Sequence, residues 1–178
     1  MMRPIVIIPG LGNSGPLHWQ RLWQAELGNN ARMVEQDDWD RPNIADWVAR
    51  LDRVIADLPV PPVLVAHSLS CALVAHWVAK AARAVAGALL VAPADVDSDT
   101  HTPPETRSFR PMPMSRLPFP STVVASGDDP YVARARAQAF ALAWGSRFVD
   151  IGAAGHINTA SGFGEWPLGR LLLGELAR

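Results

Sequence analysis

Residues 61–77 read PPVLVAHSLSCALVAHW, and the fold turns on how this stretch is read. Val63 to Ala66 is an unbroken apolar run, the pattern of a strand buried on both faces. After Ser68 the apolar spacing suits a helix reaching to about Arg83. A strand that turns sharply at a serine into a helix leaves that hydroxyl exposed at the C-terminal edge of a sheet, in the position of a nucleophile. The usual spelling is G-x-S-x-G, but here Ala66-His67-Ser68-Leu69-Ser70 replaces both glycines with small residues. Side chains at those places meet the neighbouring strand and helix, so Ala and Ser serve the turn less fully than Gly. A plain helix N-cap at Ser68 fits the same segment.

Strands and helices alternate outward from this point. Pro4 to Ile8 reads as a central parallel strand, ending in the turn-rich loop Pro9-Gly10-Leu11-Gly12-Asn13-Ser14-Gly15-Pro16. A helix follows over Leu17 to Leu27, then a short strand over Arg32 to Glu35 and an acidic loop to Arg41. Asn43 caps a helix carrying Ile44, Trp47, Val48, Leu51, Val54 and Ile55, which Pro59, Pro61 and Pro62 close. Further strands are expected at Ala88–Ala92, Thr122–Ser126 and Arg147–Ile151, with helices over Val132–Trp144 and Trp166–Ala177. The alternation predicts an α/β fold, a mostly parallel sheet with helices on both faces. Residues 93–120 hold seven prolines (93, 103, 104, 111, 113, 118 and 120), too many for a long helix. They read either as an irregular flap at the site or as a plain surface loop, not as a separate domain. The whole of 1–178 is expected to form one domain.

The bulk numbers exclude several function classes. Hydrophobic residues make up 49% and charged residues 19%, an ordinary globular balance. A net charge of −1 with Lys80 as the sole lysine leaves no basic footprint for nucleic acid or an anionic membrane. Cys71 is the only cysteine, so no internal disulfide forms, and it reads as a small buried hydrophobe. No apolar stretch reaches signal-peptide or transmembrane length, which makes a cytoplasmic location the default expectation. Asp37, Asp38 and Asp40 cluster without a histidine at ligand spacing, so no metal is expected there.

A serine hydroxyl needs a base, and the base needs an orienting group. Of the five histidines, His67 adjoins Ser68 but points away across the turn, and His76 lies two helical turns on. His101 sits in the proline-rich segment, and His18 opens the first helix, where it lines the expected pocket. His156 follows the last strand in the loop Gly152 to Asn158, at the sheet edge where the base belongs. The acid should fall between serine and histidine. Asp129, directly before Pro130-Tyr131-Val132, is preferred over its neighbour Asp128, read as a turn former, and over Asp95. Backbone N–H groups of Leu69 and Leu11 are the expected oxyanion donors. Gly10, His18, Trp19, His67 and Phe163 are the candidate pocket residues, with core packing an equal reading for Trp19. The letters Gly10-x-Gly12-x-x-Gly15 also fit a dinucleotide loop, with Glu35 as the ribose acid, although Pro16 removes an N–H that a pyrophosphate would use.

Four strings carry a resemblance along nearly the whole chain: PGLGNSGPLHWQ, VAHSLS, SGDDPYV and GHINTASGFGEWP. They resemble the compact serine hydrolases that include retinoblastoma-binding protein nine and many small bacterial α/β-hydrolases. The resemblance implies a capless α/β-hydrolase fold and a triad of Ser68, Asp129 and His156, and a serine mechanism of this kind requires no cofactor. It also implies action on a small acyl or ester-like substrate. The L-x-C-x-E sequence tied to retinoblastoma binding is not matched, because Leu69-Ser70-Cys71-Ala72-Leu73 ends in leucine, so that partner is not carried over. A binding or regulatory module on the same fold with little catalysis is the competing expectation. The Ser161–Pro167 stretch is expected to position the histidine loop, with direct substrate contact by Phe163 as the alternative.

Overall fold

The computed structural model describes residues 3–81 and 83–178. Six parallel strands, β1 (Ile5–Ile8), β2 (Ala31–Met33), β3 (Val63–His67), β4 (Gly87–Val91), β5 (Ser121–Ala125) and β6 (Arg147–Asp150), form one sheet in the order β2-β1-β3-β4-β5-β6. Helices α1 (Trp19–Leu27), α2 (Ile44–Ala56), α3 (Leu69–Val78), α4 (Arg134–Trp144) and α5 (Pro167–Leu176) flank it.

Every inner strand is buried at every residue because alternate side chains enter two cores. Val6, Ile8, Leu64, Ala66 and Leu90 face a core with Trp47, Leu51 and Ile55 of α2, Leu73 and Trp77 of α3, and Phe140 of α4. Ile5, Ile7, Val65, Leu89 and Val91 face the other, with Trp19 and Trp23 of α1 and Leu172 and Leu173 of α5. This two-sided burial explains why the strands read as continuous apolar runs.

The chain winds from β1 outward to β2, then crosses back to place β3 on the other side of β1. The reversal makes a crevice between β1 and β3 at the carboxyl ends of the strands, where ligands bind in open α/β sheets. The register Ile8↔Ala66 brings Gly10 beside Ser68.

Two expectations about the elements need correction. Helix α3 ends at Val78, short of Arg83. Lys80 and Ala81 N–H both turn back to the Trp77 carbonyl (3.0 and 2.8 Å), and Arg83 pairs with Asp52 of α2 at 2.9 Å. No Gly or Pro marks that stop, so periodicity overran it. Residues 93–120 are not a loose surface loop. A 3₁₀ helix (Pro104–Phe109) sits within them, and Phe109, Met112, Leu117 and Phe119 are buried in the α2–α3–α4 core. Among the described residues no helix is long and apolar enough to cross a membrane.

Candidate active site

Ser68 holds φ +59° and ψ −122°, and its side chain makes no N-cap hydrogen bond, so the capping reading of this serine is set aside. An L-residue in such a conformation costs about 1–3 kcal/mol and persists only where its surroundings over-determine it. Here Ser68 N–H extends the sheet ladder to the Val91 carbonyl (2.9 Å). Two residues on, the Ser70 hydroxyl donates to the Pro9 carbonyl at 2.5 Å. The residue standing where glycine is usual therefore ties the β1 loop to this turn. The small residue that the crossing needs is Gly10. A Cβ there would lie 2.9 Å from the His67 carbonyl oxygen and 3.0 Å from Ser68 Cβ.

The Ser68 hydroxyl lies 2.8 Å from His156 Nε2, and both carboxylate oxygens of Asp129 lie 2.9 Å from His156 Nδ1. Asp129 and His156 are buried. The carboxylate fixes the tautomer: Nδ1 carries the proton, leaving Nε2 as the acceptor facing Ser68. Hydroxyl, imidazole and carboxylate in this series can move a proton off the serine as it attacks an electrophile. Asp128 faces elsewhere. Its Oδ1 accepts from Ser126 Oγ (2.7 Å) and from the N–H groups of Ala154 (2.9 Å) and Gly155 (2.8 Å), holding the loop that carries His156. Those hydrogen bonds, the Ser126 hydroxyl first, keep the Asp128 carboxyl below its ordinary value. Asp95 is bound to Arg136 at 2.9 and 3.0 Å.

The histidine loop is knotted by its own side chains. Ser161 Oγ accepts from His156 N–H (3.1 Å) and donates to Asn158 Oδ1 (2.8 Å), and Asn158 Oδ1 also accepts from Ser161 N–H (3.1 Å). Gly155, at φ +54°, passes close against Ser161, leaving no room for a Cβ. From below, Trp19 Nε1 donates to the Ile157 carbonyl (2.8 Å), while His67 Nε2 donates to the His156 carbonyl (2.9 Å).

The string PGLGNSGPLHWQ acquires a function residue by residue. Gln20 donates to the carbonyls of Ile8 at the end of β1 (3.1 Å) and Val65 within β3 (3.3 Å), and accepts from Ser14 Oγ (2.6 Å). His18 caps α1, its Nδ1 accepting from Gln20 N–H at 3.2 Å. That cap occupies a donor a pyrophosphate would need, and Glu35 pairs with Arg21 at 3.3 Å, so the dinucleotide reading finds no support in the loop. The acids at 37 and 38 are likewise engaged, with Arg50 (2.5 Å) and Arg41 (3.1 Å).

A cavity of about 230 Å³ opens over Ser68. Gly10, Leu11, His18, His67, Leu69 and His156 line it, together with Asn13, Ala94, Thr102, Pro103, Thr106, Tyr131 and Asn158, which sequence reasoning had not named as site residues. Leu69 is the first residue of α3, so its N–H is one of the helix's open donors beside Ser68. Trp19 and Phe163 are not on the wall. Trp19 is wholly buried behind His18 and His67, and Phe163 packs edge-on against Trp166. Asn158 lay in a string singled out from sequence, whereas nothing local marks Tyr131, whose ring sits 4.4 Å from that of His156. Burial, then the nearby His156, pushes His18 down to about 4 and His67 well below its usual value, so both rings are neutral near pH 7.

A family profile described as serine hydrolase matches residues 5–175. The chain belongs to the serine hydrolase family. A YdeN-like hydrolase of Pectobacterium atrosepticum shares 32% identity with it, covering 98% of this chain and 90% of that one, with a TM-score of 0.86. The ydeN gene product of Bacillus subtilis aligns over 98% of both chains at 20% identity and TM-score 0.80. Esterase 2 of Thermogutta terrifontis aligns at 18% identity and TM-score 0.72, over 97% of this chain and 81% of its own. None of the curated proteins matches this chain. The compact α/β-hydrolase fold and a hydrolase function follow for this family member.

Proposed function

We propose that this serine hydrolase cleaves small carboxylic esters or related acyl compounds through an acyl-serine intermediate. Ser68 Oγ attacks the acyl carbon while His156 Nε2 takes its proton. Asp129 holds the imidazole in the required tautomer and stabilises the imidazolium without accepting the proton itself. The N–H groups of Leu11 and Leu69 bind the oxyanion, a contribution of about 3–4 kcal/mol from one such donor. His156 then hands the proton to the departing alcohol, and water attacks the acyl-serine with His156 again as base. The carrying observation is the unbroken series Ser68 Oγ–His156–Asp129, with contacts of 2.8 and 2.9 Å at the floor of a cavity. The fold shared with Thermogutta esterase 2 agrees with ester chemistry.

The test is labelling with a fluorophosphonate probe, which reacts only with an activated serine. Wild type should label, Ser68→Ala should not, and His156→Ala should label at least about a thousandfold more slowly. A folded wild type that resists the probe would instead favour a binding module that keeps the fold with little catalysis.

A further inference from the structure

The part of the cavity wall supplied by the proline-rich segment is built to stay still. Thr102 and Thr106 are 4% and 2% exposed. Thr102 Oγ1 shares its proton between the carbonyls of Asp95 (3.0 Å) and Ser98 (2.9 Å), and Thr106 Oγ1 donates to the Pro103 carbonyl at 2.8 Å. Their hydroxyl protons are thus spent on backbone and are not offered to a ligand. The 3₁₀ helix behind them is pinned at three places. Phe109 is wholly buried, His76 Nε2 donates to its carbonyl at 2.7 Å, and Ser108 Oγ bridges the Pro42 carbonyl and the Ile44 N–H (3.1 and 3.2 Å).

The tetrahedral intermediate assigns this wall a job. Its carbon carries four groups: Ser68 Oγ, the oxyanion, the alcohol oxygen and the acyl chain. The oxyanion takes the side of Leu11 and Leu69, and the alcohol takes the side of His156, which protonates it. Tyr131 and His67 lie with His156, their rings 4.4 and 4.8 Å from its own. Of the other lining residues, Asn13, His18 and Asn158 carry polar side chains, so the acyl chain is assigned to Ala94, Thr102, Pro103 and Thr106, whose free surface is methyl and ring carbon.

We infer that Thr102, Pro103 and Thr106 form a rigid end wall that limits the substrate to short acyl chains, with Thr106 a specificity-determining residue. The inference rests on the acyl-serine reading above. It is tested with p-nitrophenyl acetate, butyrate, hexanoate and octanoate on wild type, Thr106→Ser and Thr106→Val. Serine keeps the hydroxyl bond and removes a methyl from the wall; valine keeps the bulk and removes the bond. In wild type kcat/KM should fall about tenfold or more from butyrate to hexanoate, the discrimination one or two methylenes provide. Thr106→Ser should raise the hexanoate-to-butyrate ratio by about tenfold, and Thr106→Val should leave that ratio where it is. A wild-type profile that stays flat to octanoate overturns the wall. So does a ratio unmoved by Thr106→Ser, or one moved equally by Thr106→Val, which would mark a purely structural threonine. Fluorophosphonate labelling and acetate turnover of the wild type report on Ser68 separately. If both are missing, the acyl-serine reading fails and the wall with it; if both are present and the ratio does not move, the wall alone fails.

Discussion

Adjacent carboxylates at 128 and 129 divide the work of one loop between them. Asp129 turns inward, its side chain fully buried and facing His156, while Asp128 reaches back to the N–H groups of Ala154 and Gly155. Neutralising each should therefore have different consequences. Asp129→Asn removes the acceptor that orients Nδ1–H and should lower kcat by about 10³–10⁴-fold with little loss of fold. Asp128→Asn keeps one acceptor oxygen and should cost activity no more than about tenfold, as the histidine loop loosens. Steady-state ester hydrolysis with parallel thermal melts checks both; a larger activity loss at position 128 would reverse the assignment of the acid. The serine itself was legible because its small neighbours and the strand before it are local features. The choice between the two aspartates was legible only as a preference for the one before Pro130-Tyr131-Val132, since it depends on contact with a residue 27 positions away.

Among the elements, α1 couples the cavity to stability through its cap. His18 satisfies the Gln20 N–H only through an unprotonated Nδ1, and burial holds the ring's value at about 4, below the ordinary 6.5. Between those values the unfolded chain takes up a proton that the folded chain does not. Stability from this group is therefore complete above about pH 6.5, is lost as pH falls toward 4, and changes no further below that. The full shift amounts to about 3 kcal/mol. His67, displaced the same way by burial, adds to the loss. Urea unfolding of His18→Asn, which keeps a cap acceptor, should show a shallower decline between pH 6.5 and 4 than wild type. An unchanged slope would remove His18 from the account. Most elements were readable because two-sided burial writes itself as apolar runs and Asn43 is an explicit cap. The end of α3 was not, because tertiary contacts, including the Arg83–Asp52 pair, accompany it where no breaker stands.

For the molecule as a whole, the winding order places five loops at one edge of the sheet, and the proline-rich segment closes over them from the α2–α3–α4 side. Because Phe109 is wholly buried between Trp47 and His76, the segment should unfold with the sheet. Phe109→Ala should cost about 3–5 kcal/mol in urea unfolding, with a single transition by tryptophan fluorescence and circular dichroism. A separate early transition would show the segment to be a loosely attached flap. The sequence by itself determined the α/β winding and the placing of Ser68, Asp129 and His156 in loops after β3, β5 and β6. Those depend on periodicity and on the residues flanking each turn, which act over a few positions. Only the tertiary structure decided which aspartate faces His156, that Trp19 and Phe163 support the site from outside the cavity, and that residues 102–106 wall it. Each of these depends on where a side chain points once distant segments meet, and that direction is set by packing between elements, which no local pattern records.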